Sequence, residues 1–112
     1  MEITSYREVK DAQLSSDGNA TFDAITAVTG KKLRVVSGVI SAAALMTLQF
    51  QSRVGSATAT DLTGKGIHFP AAGAVVLPFN ESGYFETAIG GKLQVVSDAA
   101  GEVGGVLNYI EI

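Results

Sequence analysis

Apolar and polar positions alternate with period two along most of the chain, and the alternation breaks at Gly, Asn, Asp or Pro about every 8–12 residues. Read this way, the chain predicts about eight strands, at residues 3–9, 20–26, 32–41, 45–52, 66–69, 74–77, 92–97 and 102–112, with a short extra pairing segment around 84–87. In 45–52 the pattern is clean: Met46, Leu48 and Phe50 share one face, and Thr47, Gln49 and Gln51 share the other. Leu48, Phe50, Val95 and Leu107 are the expected core. In 32–41 both faces are partly apolar, with Leu33, Val35, Ser37 and Val39 on one and Arg34, Val36, Gly38 and Ile40 on the other, so this strand is expected to be central or covered on both sides. No segment sustains a helical period; the run Ser41-Ala42-Ala43-Ala44 reads as a turn.

Asp17-Gly18 with Asn19, Gly55 and Gly90-Gly91 supply turns, and Gly104-Gly105 a strand bulge. Turn signals at this spacing point to an all-β antiparallel sandwich, jelly-roll-like, rather than to βαβ units. An immunoglobulin-type sandwich is disfavoured because the chain has neither Cys nor Trp for its core. At 112 residues there is material for one sandwich domain, 1–112. Its first nineteen residues differ in character: 2–10 alternate, and Asp11 to Asn19 reads as a polar loop. Two readings of 1–19 are open, an edge strand or arm lying on a neighbouring chain and a strand within its own sandwich.

Composition narrows the chemistry. With 46% hydrophobic and 17% charged residues the chain is expected to fold, and thirteen glycines with Val, Ile, Thr, Phe and Tyr favour strands and tight turns. The net charge of −3 is spread singly and offers no basic field for a nucleic-acid backbone. No apolar run reaches the roughly 18–20 residues of a membrane span, and the opening Met1-Glu2-Ile3-Thr4-Ser5 lacks the features of a secretory signal, so synthesis and retention in a cytosol are expected. Absence of Cys removes disulfides, thiolate metal sites and a Cys nucleophile.

The remaining catalytic candidates are thin. His68 is the sole histidine and has no spaced nucleophile or carboxylate, and no H-x-H or D-x-D pair suggests a metal. Gly64-Lys65-Gly66 and Gly90-Gly91-Lys92 lack Walker spacing and read as turns. The sequence therefore predicts no enzyme, no cofactor and no metal. Residues 78–88 are the richest stretch: the polar turn Asn80-Glu81-Ser82-Gly83 lies between Phe79 and Tyr84-Phe85. Either these aromatics plug the end of the sandwich, with Gly83 at positive φ, or they form a contact with another subunit. Tyr6, Phe79, Asn80, Tyr84 and Phe85 are the candidate contacts with another subunit, and Gly83 the turn glycine.

Three units, Gly30-Lys31-Lys32-Leu33-Arg34-Val35, then Thr60-Asp61-Leu62-Thr63-Gly64, then Pro78 to Gly90 with its Tyr84-Phe85-Glu86-Thr87-Ala88 centre, resemble in order and composition a group of small bacteriophage structural proteins. The resemblance covers residues 15–112. It implies a virion protein, made in the host cytoplasm and carried on the capsid surface as a decoration or cement protein. Its implied partners are the major capsid protein and copies of itself, with a homotrimer favoured. A tail or fibre component that binds a host-surface glycan or protein is the alternative, and a small bacterial or prophage sandwich of unrelated role a third class.

Overall fold

The computed structural model describes residues 8–18 and 21–112. Its ten strands are β1 (Lys10–Gly18), β2 (Thr21–Ile25), β3 (Leu33–Ala42), β4 (Met46–Arg53), β5 (Thr60–Asp61), β6 (Ile67–Phe69), β7 (Gly73–Leu77), β8 (Phe85–Glu86), β9 (Lys92–Ser97) and β10 (Ala100–Glu111), with no helix among the described residues. They form two antiparallel sheets packed together. Sheet A runs β1-β10-β3-β7, with β8 also pairing β3; sheet B runs β2-β9-β4-β5, with β6 also pairing β4. Each sheet is thus four strands wide, because β7 and β8 share one flank of β3, and β5 and β6 share one flank of β4. Seven of the ten correspond to expected strands; the others are β1, the Thr60–Asp61 segment read as part of a turn, which pairs with Gln51 and Ser52, and the short extra segment Phe85–Glu86, which pairs with Arg34 and Val35.

The core lies between the sheets. Leu33, Val35, Ile40, Leu107 and Val103 from sheet A meet Leu48, Phe50, Leu93, Val95 and Met46 from sheet B. The four expected core residues Leu48, Phe50, Val95 and Leu107 are completely buried. The Phe50 ring lies 5.1 Å from that of Phe85, tilted by 36°, a favourable offset aromatic pair.

Three sequence expectations need correction. Along β3 the two apolar faces are one face interrupted by a bulge. Asn108 pairs with Ser37 and Tyr109 with Val35, so Val36 is an extra residue without a partner across the ladder. The insertion reverses the side-chain parity, and Leu33, Val35, Ile40 and Ala42 all belong to the same core. Gly104-Gly105 is not a bulge: Gly105 pairs in register with both Leu14 and Ile40. Gly105 has φ 134°, and a Cβ on it would overlap the Val39 carbonyl oxygen, so backbone angle and close approach both require glycine there. Finally, the polar stretch read as a loop from Asp11 is β1, an edge strand paired along β10 from Lys10↔Tyr109 to Gly18↔Ala100. Its inward positions Ala12 and Leu14 touch the core, and its outward Asp11, Gln13, Ser15 and Asp17 face solvent. An edge strand needs backbone partners on one side only, so half a face of small apolar residues suffices. The strand expected at residues 3–9, and Asn19 of the expected turn, fall largely outside the described residues.

Candidate functional site

Two of the three sequence units are complementary halves of one clasp. Lys31, Lys32 and the first residues of β3, Leu33 to Val36, present one flank, and residues 80–90 close over it. Asn80 N–H donates to Val36 O (2.8 Å), Tyr84 N–H to Val35 O (2.8 Å), Thr87 N–H to Leu33 O (3.0 Å) and Gly90 N–H to Lys31 O (2.8 Å). The bulge at Val36 lies where the clasp begins, and Val36, though buried, is outside the core cluster. Within the loop, Ser82 N–H donates to Asn80 Oδ1 and Gly83 N–H to Asn80 O, an Asx-type turn. Gly83 has φ 83°, and a Cβ on it would overlap Arg34 Cγ and stand 2.7 Å from Arg34 Cδ. Backbone conformation and space both require glycine there.

The aromatic trio divides. Phe85 is half-buried against Phe50, whereas Phe79 is 63% exposed and Tyr84 40% exposed. The Tyr84 hydroxyl donates to Pro78 O and so braces the loop across its own neck. Asn80 is an exposed turn former. The structure therefore brings Phe79, Asn80 and Tyr84 together on one projecting loop and takes Phe85 into the core. Tyr6 lies outside the described residues.

Charge accompanies the clasp. Glu86 faces Arg34 (3.3 Å) and Lys32 (3.7 Å), and Arg34 reaches Glu81 O (3.4 Å). Across the sheet Lys10 pairs with Glu111 at 3.0 Å, and the hydrogen bond and charge of that carboxylate hold the Lys10 ammonium above its ordinary pKa. The pairs of Glu86 with Arg34 and Lys32 are surface pairs, worth about 0–1 kcal/mol each.

The third unit has a local structural task. Asp61 Oδ1 accepts from Gln51 Nε2 (2.8 Å), Leu62 N–H donates to Phe50 O, and Thr63 N–H and hydroxyl both donate to Gln49 Oε1. Gln49 Nε2 in turn donates to Gly64 O (2.8 Å). Residues 60–64 are thus stitched onto the polar side of β4. His68 is exposed, with Nδ1 2.8 Å from the Thr47 hydroxyl, and no three His, Asp or Glu side chains converge among the described residues.

What the sequence did not reveal is the contrast between the two outer faces. On sheet B a row of opposed residues runs Asp61–Gln51–Gln94–Asp23, with Gln94 donating to Gln51 and Gln51 to Asp61. Lys92 closes on Asp23 at 2.9 Å. On sheet A the corresponding row is Gln13–Val106–Val39–Val76, in which Val76 is 69% exposed. Residue parity in β3 hides this stripe, because the Val36 bulge puts Val39 on the outer face. Beside it a shallow open depression of about 460 Å³ is lined by small residues, among them Ser15, Ser41, Ala74 and Gly104. Chemically, these surfaces offer docking through apolar and aromatic groups rather than an acid, base or nucleophile set.

The fold and surface define a β-sandwich with one polar, internally bonded outer face and one partly apolar face beside an aromatic loop. No protein-family model, curated protein or solved structure matches the chain.

Proposed function

We propose that this protein is a bacteriophage capsid decoration or cement protein, which binds the assembled head at the shell surface and stabilises it without catalysing a reaction. The observation that carries the reading is the series of three units, at 30–35, 60–64 and 78–90, resembling small phage structural proteins. Two features of the surface agree with a binding role. The 78–90 unit presents Phe79 and Tyr84 outward on a braced loop, and sheet A carries an exposed valine stripe next to it. The jelly-roll reading belongs here as well. With β5 and β6 counted as one position and β7 and β8 as another, the orders β1-β10-β3-β7 and β2-β9-β4-β5 describe eight strands that alternate between the two sheets except where β4 is followed by β5–β6 within sheet B.

In this reading the action is mechanical. A ligand that binds only the assembled lattice raises the free energy of taking it apart, by mass action. Contacts to several capsid subunits at once act through effective concentration, so affinity for the shell exceeds affinity for a free subunit. The major capsid protein is the partner, and assembly of several copies, as the homotrimer the resemblance implies, would multiply the effect.

The test is to mix the purified chain with expanded empty capsids, with unassembled capsid protein and with host cells. Tight binding to capsids alone, weakened at least tenfold by Phe79→Ser or Tyr84→Ser, is expected. Capsids stripped of the protein should rupture at lower temperature and recover when it is added back. Equal affinity for unassembled subunits overturns the cement reading, and labelling at the tail tip with binding to host cells replaces it with the receptor-binding alternative.

A further inference from the structure

Strand β7 is an uncharged sheet edge, with the two prolines of the chain, Pro70 and Pro78, outside its ends. Natural edge strands are protected by charged side chains, Pro, bulges or a covering element. The opposite edge of sheet A, β1, carries Lys10, Asp11 and Asp17. By contrast, β7 reads Gly73-Ala74-Val75-Val76-Leu77, pairs only with β3 among the described residues, and has no charged side chain anywhere from Phe69 to Asn80.

The ladder settles which backbone groups are open. The register is Ala42↔Gly73, Ser41↔Ala74, Ile40↔Val75, Val39↔Val76 and Gly38↔Leu77. Ala43 N–H donates to Glu102 O, and the Val39 carbonyl lies against Gly105, so Val39 and Ser41 turn their backbone groups toward β10, and Gly38, Ile40 and Ala42 turn theirs toward β7. Bonded and non-bonded pairs alternate in an antiparallel ladder. Gly73, Val75 and Leu77 therefore face β3, and Ala74 and Val76 turn their N–H and C=O groups away from it. Both groups of Ala74 and Val76 are left for a partner, symmetrically about Val75.

We propose that β7 pairs antiparallel with β7 of a second copy of this chain, about a two-fold axis at Val75, joining two sheets A into one continuous sheet. In this register Ala74 N–H bonds to the partner's Val76 carbonyl and Val76 N–H bonds to the partner's Ala74 carbonyl, so symmetry provides four backbone hydrogen bonds. The open groups of β7 are complementary to themselves in this one register. Side chains agree: Val76 falls opposite the partner's Ala74, and the Phe79 end of one strand meets the Ala71 end of the other, setting exposed large residues against exposed small ones. Each copy has net charge −3, yet none of it lies on the paired segment, so the axis brings no like charges together. Val76, 69% exposed, and Phe79, 63% exposed, contribute on the order of a few hundred Å² per copy, given about 150–250 Å² for a whole aromatic side chain. That is below the roughly 1,200 Å² of a stable interface, so the dimer forms reversibly at micromolar or higher concentration. This two-fold contact differs from the three-fold assembly implied by the resemblance, and it stands whether or not the chain is a virion protein.

Sedimentation equilibrium of the purified chain from about 1 µM to 1 mM tests it, with a monomer–dimer equilibrium expected. Ala74→Pro removes an N–H that no strand of its own chain uses, and Val76→Lys places two ammonium groups diagonally across the axis, about 7–8 Å apart. Both should weaken association at least tenfold. Circular dichroism melting of Val76→Lys checks that the fold is kept, and Gln13→Lys, on the outer face of β1, should leave association unchanged. In the wild type, amide exchange at Ala74 and Val76 should slow as concentration rises. A monomer up to 1 mM, a trimer or other odd stoichiometry, or a dimer indifferent to both variants overturns the proposal.

Discussion

Replacing Thr87 by Val tests how the clasp is fastened. At Leu33 the β3–β8 ladder changes from backbone to side chain. Leu33 O accepts from Thr87 N–H as in a normal pair, but Leu33 N–H donates to Thr87 Oγ1 at 3.0 Å. The chain has already turned away toward β4, where Ala88 N–H donates to Ser52 Oγ at 3.0 Å. Thr87 is 2% exposed and Leu33 wholly buried, so no solvent replaces the lost oxygen. Valine keeps the shape, leaves the Leu33 amide without an acceptor at a cost of about 1–3 kcal/mol, and returns up to about 0.8 kcal/mol through the added apolar group. The hydroxyl's second bond, to Ala88 O, ends at an exposed residue whose carbonyl can turn to water. The net expectation is a loss of about 1–2 kcal/mol, or roughly 5 °C in Tm for a domain of this size. Urea unfolding should show a lower midpoint at unchanged m, and the Leu33 amide should lose exchange protection selectively. Thr87→Ser keeps the oxygen and should retain that protection, although it also loses stability through the missing methyl. Full protection of Leu33 in Thr87→Val, or a stability change below about 0.3 kcal/mol, would refute the reasoning.

Truncation of Phe50 to Ala should cost about 3–5 kcal/mol by chemical denaturation, because the ring is fully buried and also supports Phe85; a loss under about 1 kcal/mol would contradict the core assignment. Gly83→Val should cost at least about 2 kcal/mol, since a β-branched residue is strained at φ 83° and its Cβ would displace Arg34 from Glu86, and unchanged melting would count against it. Ala72 has φ 57°, the only positive φ at a non-glycine among the described residues, so Ala72→Gly should raise stability by about 0.5–1 kcal/mol in the same assay despite the added freedom of the unfolded chain. The Lys10 pKa is raised by Glu111, so the pair's contribution is complete below the unfolded value near 10.5 and is lost as pH rises through the higher folded value. NMR titration of the Lys10 side chain should place its midpoint above 10.5 and return it toward that value in Glu111→Gln.

What the sequence determined by itself is the class of fold and most of its core. Period-two alternation places Met46, Leu48 and Phe50 on one face whatever the neighbours are, because successive strand side chains point to opposite sides. The 92–97 strand, much of 102–112 and the turn at Gly83 follow from equally local rules. Tertiary structure alone decided the rest. No local signal marks Val36 as an extra residue, since a bulge is defined by the partner strand, and one inserted residue exchanges inner and outer faces for everything beyond it. The polar β1 has too little apolar pattern to be distinguished from a loop; pairing along β10 makes it a strand. Gly105 looked like a bulge signal, yet its positive φ of 134° and the close Val39 carbonyl occur at an in-register position that only pairing with β3 defines. The exposed row Val106–Val39–Val76 and the open groups of β7 exist only once strands distant in sequence are in register, which no single segment encodes.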